Sequence, residues 1–237
     1  MKRTARIPIS STAEFEKLLD SVANDAVSAS IHWKLLSDLS TAATSFEREM
    51  NQSLAFWSLT FAAHREAVLF RLARLYDQGE RALSLRTWLG TIEANMDLFD
   101  QEGFRERLKD NPFVDSLARS ARRPDATILT ADIDSVSRKS DALVTKICNL
   151  RHKVLAHRDP SLVLRTGPSN AAGITNGDTE QLLDRAVTLV NRYSSIFRAR
   201  TYSTTIVGAD DYESMLRFVQ RGINACEAEI DAESGGA

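Results

Sequence analysis

Cysteines and long apolar runs are scarce in this chain of 237 residues. The two cysteines, Cys148 and Cys226, both lie in apolar helical patterns, so we expect two small buried side chains rather than a disulfide or a metal pair. No run of about 18 apolar residues occurs, so no transmembrane helix is expected. The basic N-terminus MKRTARIPIS lacks the apolar region and cleavage site of a signal peptide. We therefore expect a cytoplasmic protein with no membrane partner.

The chain also lacks a strong charge of either sign. Its formal net charge is −2 and its pI is about 6.1. This balance does not call for a nucleic-acid partner, but it does not exclude one, because a local basic patch can do the binding.

Glycine and proline are few as well, ten and five respectively, and the long stretches without either favour helices. We predict an all-α fold, a bundle of about six helices. The segment TYSTTIV comes closest to a strand. Residues 1–10 are predicted to be an N-terminal tail, 11–230 a single domain, and 231–237 a flexible tail.

The first helix is predicted to begin at Ser11, where Glu14 completes a capping box, and its pattern weakens over residues 28–45. Pro112 and Pro124 interrupt the less regular stretch 100–129. Further helices are predicted from Phe46 to Tyr76, after Ser84, from about Thr130 to Pro160, from Asp178 to about Arg200, and from Asp210 onward. In the helix from Thr130, Asp132 and Asp134 would occupy the first turn. The segment after Pro160 is predicted to be an irregular loop.

The stretch LRHKVLAHRDP, residues 150–160, gathers cations and histidines just before the proline that ends a helix. Arg151 and His157 are about 120° apart around an ideal helix and about 9 Å apart along it, while Arg158 returns to the direction of Arg151. Arginine offers a fixed fork of donors to phosphate, and histidine moves protons near neutral pH. Such a pair suits metal-independent attack of an RNA 2′-hydroxyl on the neighbouring phosphate.

A simpler explanation also accounts for this stretch, since the helix dipole favours basic residues in a last turn. On composition alone, this explanation is favoured over a catalytic site. Arg71 and Arg74, in FRLARLYD, similarly suit either a solvated helix face or a positive groove that binds RNA phosphates. His64 suits a satisfied histidine better than a catalyst.

The residues NLRHKVLAHRD resemble the signature of the HEPN superfamily, which is Arg, a polar residue, a spacer and then His. The phrase is similar to the LRNKxxAHxD form of the abortive-infection AbiU-like branch. The upstream AHREAVLFRLARLYDQGERALSLRTWL also looks like that branch, where a long helix ends in an arginine-aspartate phrase before a short helix. The resemblance covers roughly residues 10 to 200. The chain departs from it at His152, where the family often has Asn.

The resemblance implies a HEPN-like helical bundle that acts as an RNA endonuclease in antiphage defence or a toxin system, without a cofactor. Arg151 would stabilise the phosphate, His157 would move protons and His152 would orient the site. A homodimer would join two motifs in one cleft, and an antitoxin or defence-system protein would be a further partner. Two alternatives stay open: a non-catalytic scaffold or regulator that binds nucleotide, RNA or protein, and a dimerising structural protein.

Overall fold

A computed structural model of the chain describes residues 4–120, 123–151 and 173–234. Its α-helices are α1 (Thr12–Ser45), α2 (Glu47–Asn51), α3 (Leu54–Leu75), α4 (Leu85–Ala94), α5 (Gln101–Arg107), α6 (Val114–Ser120), α7 (Ala126–Ser135), α8 (Ala142–Leu150), α9 (Asn176–Arg198) and α10 (Asp211–Ser234), with a 3-10 helix at Met96–Phe99. No β-strand occurs within the described ranges, and TYSTTIV is irregular. The predicted all-α fold is confirmed.

The chain divides into two compact units. The first comprises Met1–Ala29 and Leu69–Tyr202, and the second comprises Ser30–Val68 and Ser203–Ala237. Helices α1 and α3 contribute residues to both. The prediction of one domain over 11–230 stays a prediction, since compact units of this kind also occur within single domains.

Aromatic rings form the centre of the first unit. Phe15 of α1 packs edge-on against Phe197 of α9 with ring centroids 4.8 Å apart, and Trp88 of α4 packs edge-on against Tyr193 of α9 at 5.8 Å. All four rings are buried. Helix α4 also packs against α7, and α9 against both α5 and α8. Burial of such large rings contributes strongly to the stability of the unit.

The second unit has a smaller core. Leu39, Met50, Trp57 and Leu216 are buried together, and α2 packs against α10. Much of α10 beyond Leu216 is exposed. Cys226 lies in that exposed part, so the prediction that it is buried is wrong. The tail predicted from residue 231 is helical as far as Ser234, because its alanine and glutamate residues favour helix.

The first 80 residues differ from the sequence pattern in two ways. The pattern weakens over 28–45, but α1 continues through this stretch to Ser45. The helix predicted from Phe46 to Tyr76 is instead two helices, α2 and α3, because the chain turns at Gln52 and Ser53. The Ser53 side chain can compete with helical backbone hydrogen bonds, which weakens a helix at that point.

The described part of the helix predicted from Thr130 to Pro160 is also two helices, α7 and α8, separated by a turn at 136–141, and the predicted end at Pro160 lies outside the described residues. Asp125 caps α7 by accepting hydrogen bonds from the backbone N–H groups of Thr127 and Ile128, so α7 starts earlier than predicted. Asp132 and Asp134 therefore lie near its end rather than in its first turn. The apolar spacing carries on through the turn, which is why the sequence pattern did not show it.

The remaining helix starts agree closely with the sequence. Ser84 caps α4 as predicted. Thr175 caps α9, and Asp178, the predicted cap, is the third helical residue and completes the capping box. The final helix follows Asp210 as predicted.

Candidate functional site

Arg151 directly follows α8, and its backbone remains helical, with its N–H donating to the carbonyl of Ile147. The helix forms because Asp141 caps its start and because Val144 and Ile147 supply a buried face. Arg151 lies one turn beyond Ile147, so its aliphatic stem leaves the packed side of the helix. The side chain remains 44% exposed. Arg151 is therefore anchored at its base, and nearly half of its side chain is open to solvent.

Asp77 holds that guanidinium. Its Oδ1 lies 2.5 Å from Nη1 of Arg151, and the Asp77 side chain is only 12% exposed. Asp77 comes two residues after the end of α3, and the same Oδ1 accepts a hydrogen bond of 2.9 Å from the backbone N–H of Gly79. The hydrogen bond from Gly79 thus holds the Asp77 carboxylate in place independently of its contact with Arg151. A charge-assisted bond of this kind orients the arginine as well as pairing with it.

The turn that carries Asp77 is anchored on both sides. The Tyr76 hydroxyl donates to the carbonyl of Leu182 at 2.7 Å, and the ring is buried, which raises the pKa of the phenol well above its usual range. The Gln78 side-chain amide donates to the carbonyl of Val136 at 3.1 Å, and its oxygen accepts from the backbone N–H of Arg138 at 3.1 Å. Residues 76–78 therefore join α9, the 136–141 turn and the end of α8.

Cys148 lies beneath this turn. Its thiol donates to the Tyr76 carbonyl at 3.5 Å. Burial raises the pKa of the Cys148 thiol, and the negative charge of Asp77 acts in the same direction against the positive charges of Arg138 and Arg151. The side chain is only partly buried, whereas the sequence predicted a buried one, and a protonated thiol is a poor nucleophile. Cys148 is thus part of the packing around Arg151.

The two arginines of α3 predicted as possible phosphate ligands surround a buried acid. Arg74 forms a 3.1 Å ion pair with Asp25 and lies over the Phe70 ring. Burial raises the pKa of Asp25, while the charges of Arg74 and Arg71 lower it. Arg74 is half-exposed, so it keeps donors toward solvent. Their binding of RNA stays a prediction.

The other predicted site residues, His152, His157 and Arg158, lie outside the described residues. The structure therefore fixes Arg151 alone of the predicted catalytic pair. His64 has a local partner, since its Nδ1 lies 2.8 Å from Nδ1 of His32. This contact agrees with the interpretation of His64 as a satisfied histidine.

Asp77 is the important residue that sequence reasoning missed. The arginine-aspartate phrase RLYD was noted as part of the resemblance, but nothing in its spacing connects it to a residue 74 positions later. Only the fold brings the end of α3 to the end of α8.

An all-α chain with a fixed arginine at the end of an amphipathic helix, followed by a histidine at the right spacing, has the features of a HEPN domain. The family model HEPN_AbiU2, described as AbiU2, matches residues 12–218. The chain therefore belongs to the AbiU2 family of HEPN proteins. Comparison with curated proteins and with solved structures gave no match.

The described part of the chain has neither a membrane-spanning helix nor a cluster of metal ligands. None of its helices is long and apolar enough to cross a membrane. No three or more of its histidine, cysteine, aspartate and glutamate side chains are grouped so as to hold a metal ion.

Proposed function

We propose that this AbiU2-family chain is a metal-independent RNA endonuclease that acts in antiphage defence or as a toxin. The observation that carries the proposal is Arg151. It occupies the arginine position of the HEPN signature, within the residues that the family model matches, and its guanidinium is oriented by Asp77 while still open to solvent. A merely solvated last-turn arginine does not need a largely shielded carboxylate that its own turn also holds in place.

The proposed reaction is attack of a 2′-hydroxyl on the adjacent phosphorus. His157 accepts the 2′-hydroxyl proton, the new 2′-O–P bond forms, and the P–O5′ bond breaks with a proton delivered to the leaving oxygen. The products are a 2′,3′-cyclic phosphate and a 5′-hydroxyl. Arg151 stabilises the extra negative charge on the phosphorane through its free donors, and His152 orients the site.

We further propose that the active form is a two-fold homodimer. One motif provides one proton-transfer histidine, whereas in-line displacement benefits from an acceptor on one side and a donor on the other. A two-fold axis near Arg151 would supply both from one sequence. Since the helix from Thr130 to Pro160 is not continuous, the proposed interface involves α8 and the segment after it. In this proposal RNA is the substrate and the protein acts in the cytoplasm. An antitoxin or a defence-system protein is a further partner.

The test uses purified protein and cellular RNA. Arg151→Ala and His157→Ala should each abolish cleavage while circular dichroism shows a folded protein. The matched control is Arg119→Ala, which removes an exposed arginine of α6. Cleavage should persist in EDTA, because Arg151 supplies the positive charge at the phosphate. Wild-type rates from a folded Arg151→Ala variant would contradict the assignment. RNA binding by the wild type without cleavage would favour the non-catalytic scaffold instead.

Sedimentation of the wild-type protein at micromolar concentration tests the dimer. A two-fold dimer is expected, and mixing wild-type with His157→Ala subunits should inhibit the wild type, because each mixed dimer keeps only one of the two histidines that the composite site needs. A fully active monomer would contradict the composite site while leaving the reaction itself in place.

A further inference from the structure

Arg138 stands in the turn between α7 and α8, beside the residues that hold Arg151. Its backbone N–H donates to Oε1 of Gln78, the residue after Asp77. Its guanidinium Nη2 donates to Oδ1 of Asn149 at 2.9 Å. The side chain is exposed. Arg138 is therefore fixed at both its backbone and its guanidinium, and its remaining donors face solvent.

Among the described residues, no acidic side chain neutralises the charge of Arg138. Asn149 is a neutral amide, and none of the ion pairs in this part of the chain includes Arg138. The neighbouring Asp141 accepts from the N–H of Val144 as the cap of α8 and pairs with Arg185 at 3.0 Å. An arginine that is oriented by a neutral partner keeps its full charge for a ligand.

Arg138 and Arg151 flank one short segment of α8. On an ideal helix Arg151 is about 60° to one side of Cys148, and Asn149 is about 100° to the other side. Arg151 is held from the first side by Asp77, and Arg138 reaches Asn149 on the second. The positive charges of both arginines act on the Cys148 thiol between them. Two oriented guanidiniums thus contact α8 or its end on either side of Cys148.

Two separated cations with solvent-facing donors match a strand that carries a phosphate at every nucleotide. Arg151 occupies the family's catalytic position and would contact the scissile phosphate. Arg138 would therefore contact a different phosphate. We propose that Arg138 binds a second backbone phosphate of the same RNA strand, outside the scissile one. This inference rests on the proposed ribonuclease function, and it assigns Arg138 to substrate binding rather than to the chemical step.

The test measures binding of a fluorescein-labelled, 2′-O-methylated 12-nucleotide RNA by fluorescence polarisation over a range of salt concentrations. The 2′-O-methyl groups prevent cleavage. Arg138→Gln should weaken binding about tenfold at low salt and reduce the slope of log affinity against log salt by about 0.7, the value for one phosphate contact on a single strand. Arg138→Lys should keep the slope, because the charge remains. Arg119→Gln, the same charge change on α6, should leave both quantities unchanged.

Cleavage assays separate this inference from the function it rests on. With a longer RNA, Arg138→Gln should raise KM more than it lowers kcat, whereas Arg151→Ala should abolish kcat. If the wild type binds and cleaves while folded Arg138→Gln keeps the wild-type affinity and salt slope, the assignment of Arg138 is wrong and the ribonuclease stands. If the wild type neither binds nor cleaves RNA, both are wrong. Should Arg138→Gln fail to fold, Asn149→Ala replaces it, and unchanged affinity in that variant would equally contradict an oriented Arg138.

Discussion

Replacing Asp77 by asparagine removes the charge that orients Arg151 and keeps nearly the same shape. Asparagine Oδ1 can still accept from Gly79, so the turn retains its local hydrogen bond. What is lost is the difference between a charge-assisted and a neutral hydrogen bond to Arg151. Charged hydrogen bonds contribute about 1.5–3 kcal/mol and neutral ones about 0.5–1.5. Since the Arg151 side chain is 44% exposed, screening lowers the difference, and we expect a loss of about 1 kcal/mol.

That loss should lower the melting temperature by about 2–4 °C in a chain of this size. Cleavage should fall more than the stability change explains. Misplacement of a positioned group by about 1 Å can slow a reaction about 100-fold, so we expect kcat to fall by about 10- to 100-fold with a smaller change in KM.

Asp132→Asn is the matched control. Asp132 has a side chain that is 12% exposed, the same as Asp77, and it pairs with Arg192, which is 38% exposed. Asp132 also accepts a hydrogen bond from the Tyr193 hydroxyl at 2.7 Å. Asp132→Asn should therefore lower the free energy of unfolding at least as much as Asp77→Asn does. Its cleavage rate at a temperature where the variant is folded should be that of the wild type. If Asp77→Asn and Asp132→Asn lose equal stability and both retain wild-type kcat, Asp77 is structural and does not position a catalytic group.

Two further predictions concern the scaffold. Gly90→Ala should destabilise the protein by about 1–3 kcal/mol, because the added Cβ would lie 2.3 Å from the carbonyl oxygen of Ala5. Thermal denaturation checks this. In a protein that lacks residues 1–9, Gly90→Ala should no longer be destabilising, because alanine is the better helix former. The pKa of Asp178 is lowered, first by the Thr175 backbone N–H and then by Lys146. Its stabilisation is therefore present above the ordinary aspartate pKa and lost as the pH falls below it, so the stability difference between the wild type and Asp178→Asn should be present at pH 7 and vanish in acid titrations.

Helix identity was largely predictable, because apolar spacing and capping residues act locally. Ser84 is followed by α4, and Asp210 precedes α10, because each helix start depends on residues within one turn. The broken helix between Asp125 and Arg151 was not predictable from periodicity. The turn at 136–141 keeps Val136 buried as a continuous helix would, so the apolar pattern carries no sign of the break.

The site shows the same division between local and long-range information. Arg151 was recognisable because its signature is contained in a few residues. Asp77 and Gln78 were not. Asp77 reaches Arg151 and Gln78 reaches the 136–141 turn only after the helices have packed, and hydrogen bonds between residues 60 or more positions apart leave no periodic pattern in the sequence.

The two arginines beside residues 76–78 are held by different partners, and the difference has a functional consequence. Asp77 orders Arg151 but offsets part of its charge, which suits a group that must adopt one geometry and that gains its interaction energy only as charge develops on the phosphorane. Asn149 orders Arg138 without offsetting its charge, which suits attraction of a ground-state phosphate from solution. A chain with a formal net charge of −2 needs such a local excess of positive charge to attract RNA.

Adding a carboxylate opposite Arg138, by Asn149→Asp, should therefore weaken RNA binding and its salt dependence while leaving the Asp77–Arg151 pair intact. Unchanged binding by a folded Asn149→Asp protein would show that the charge of Arg138 is not used.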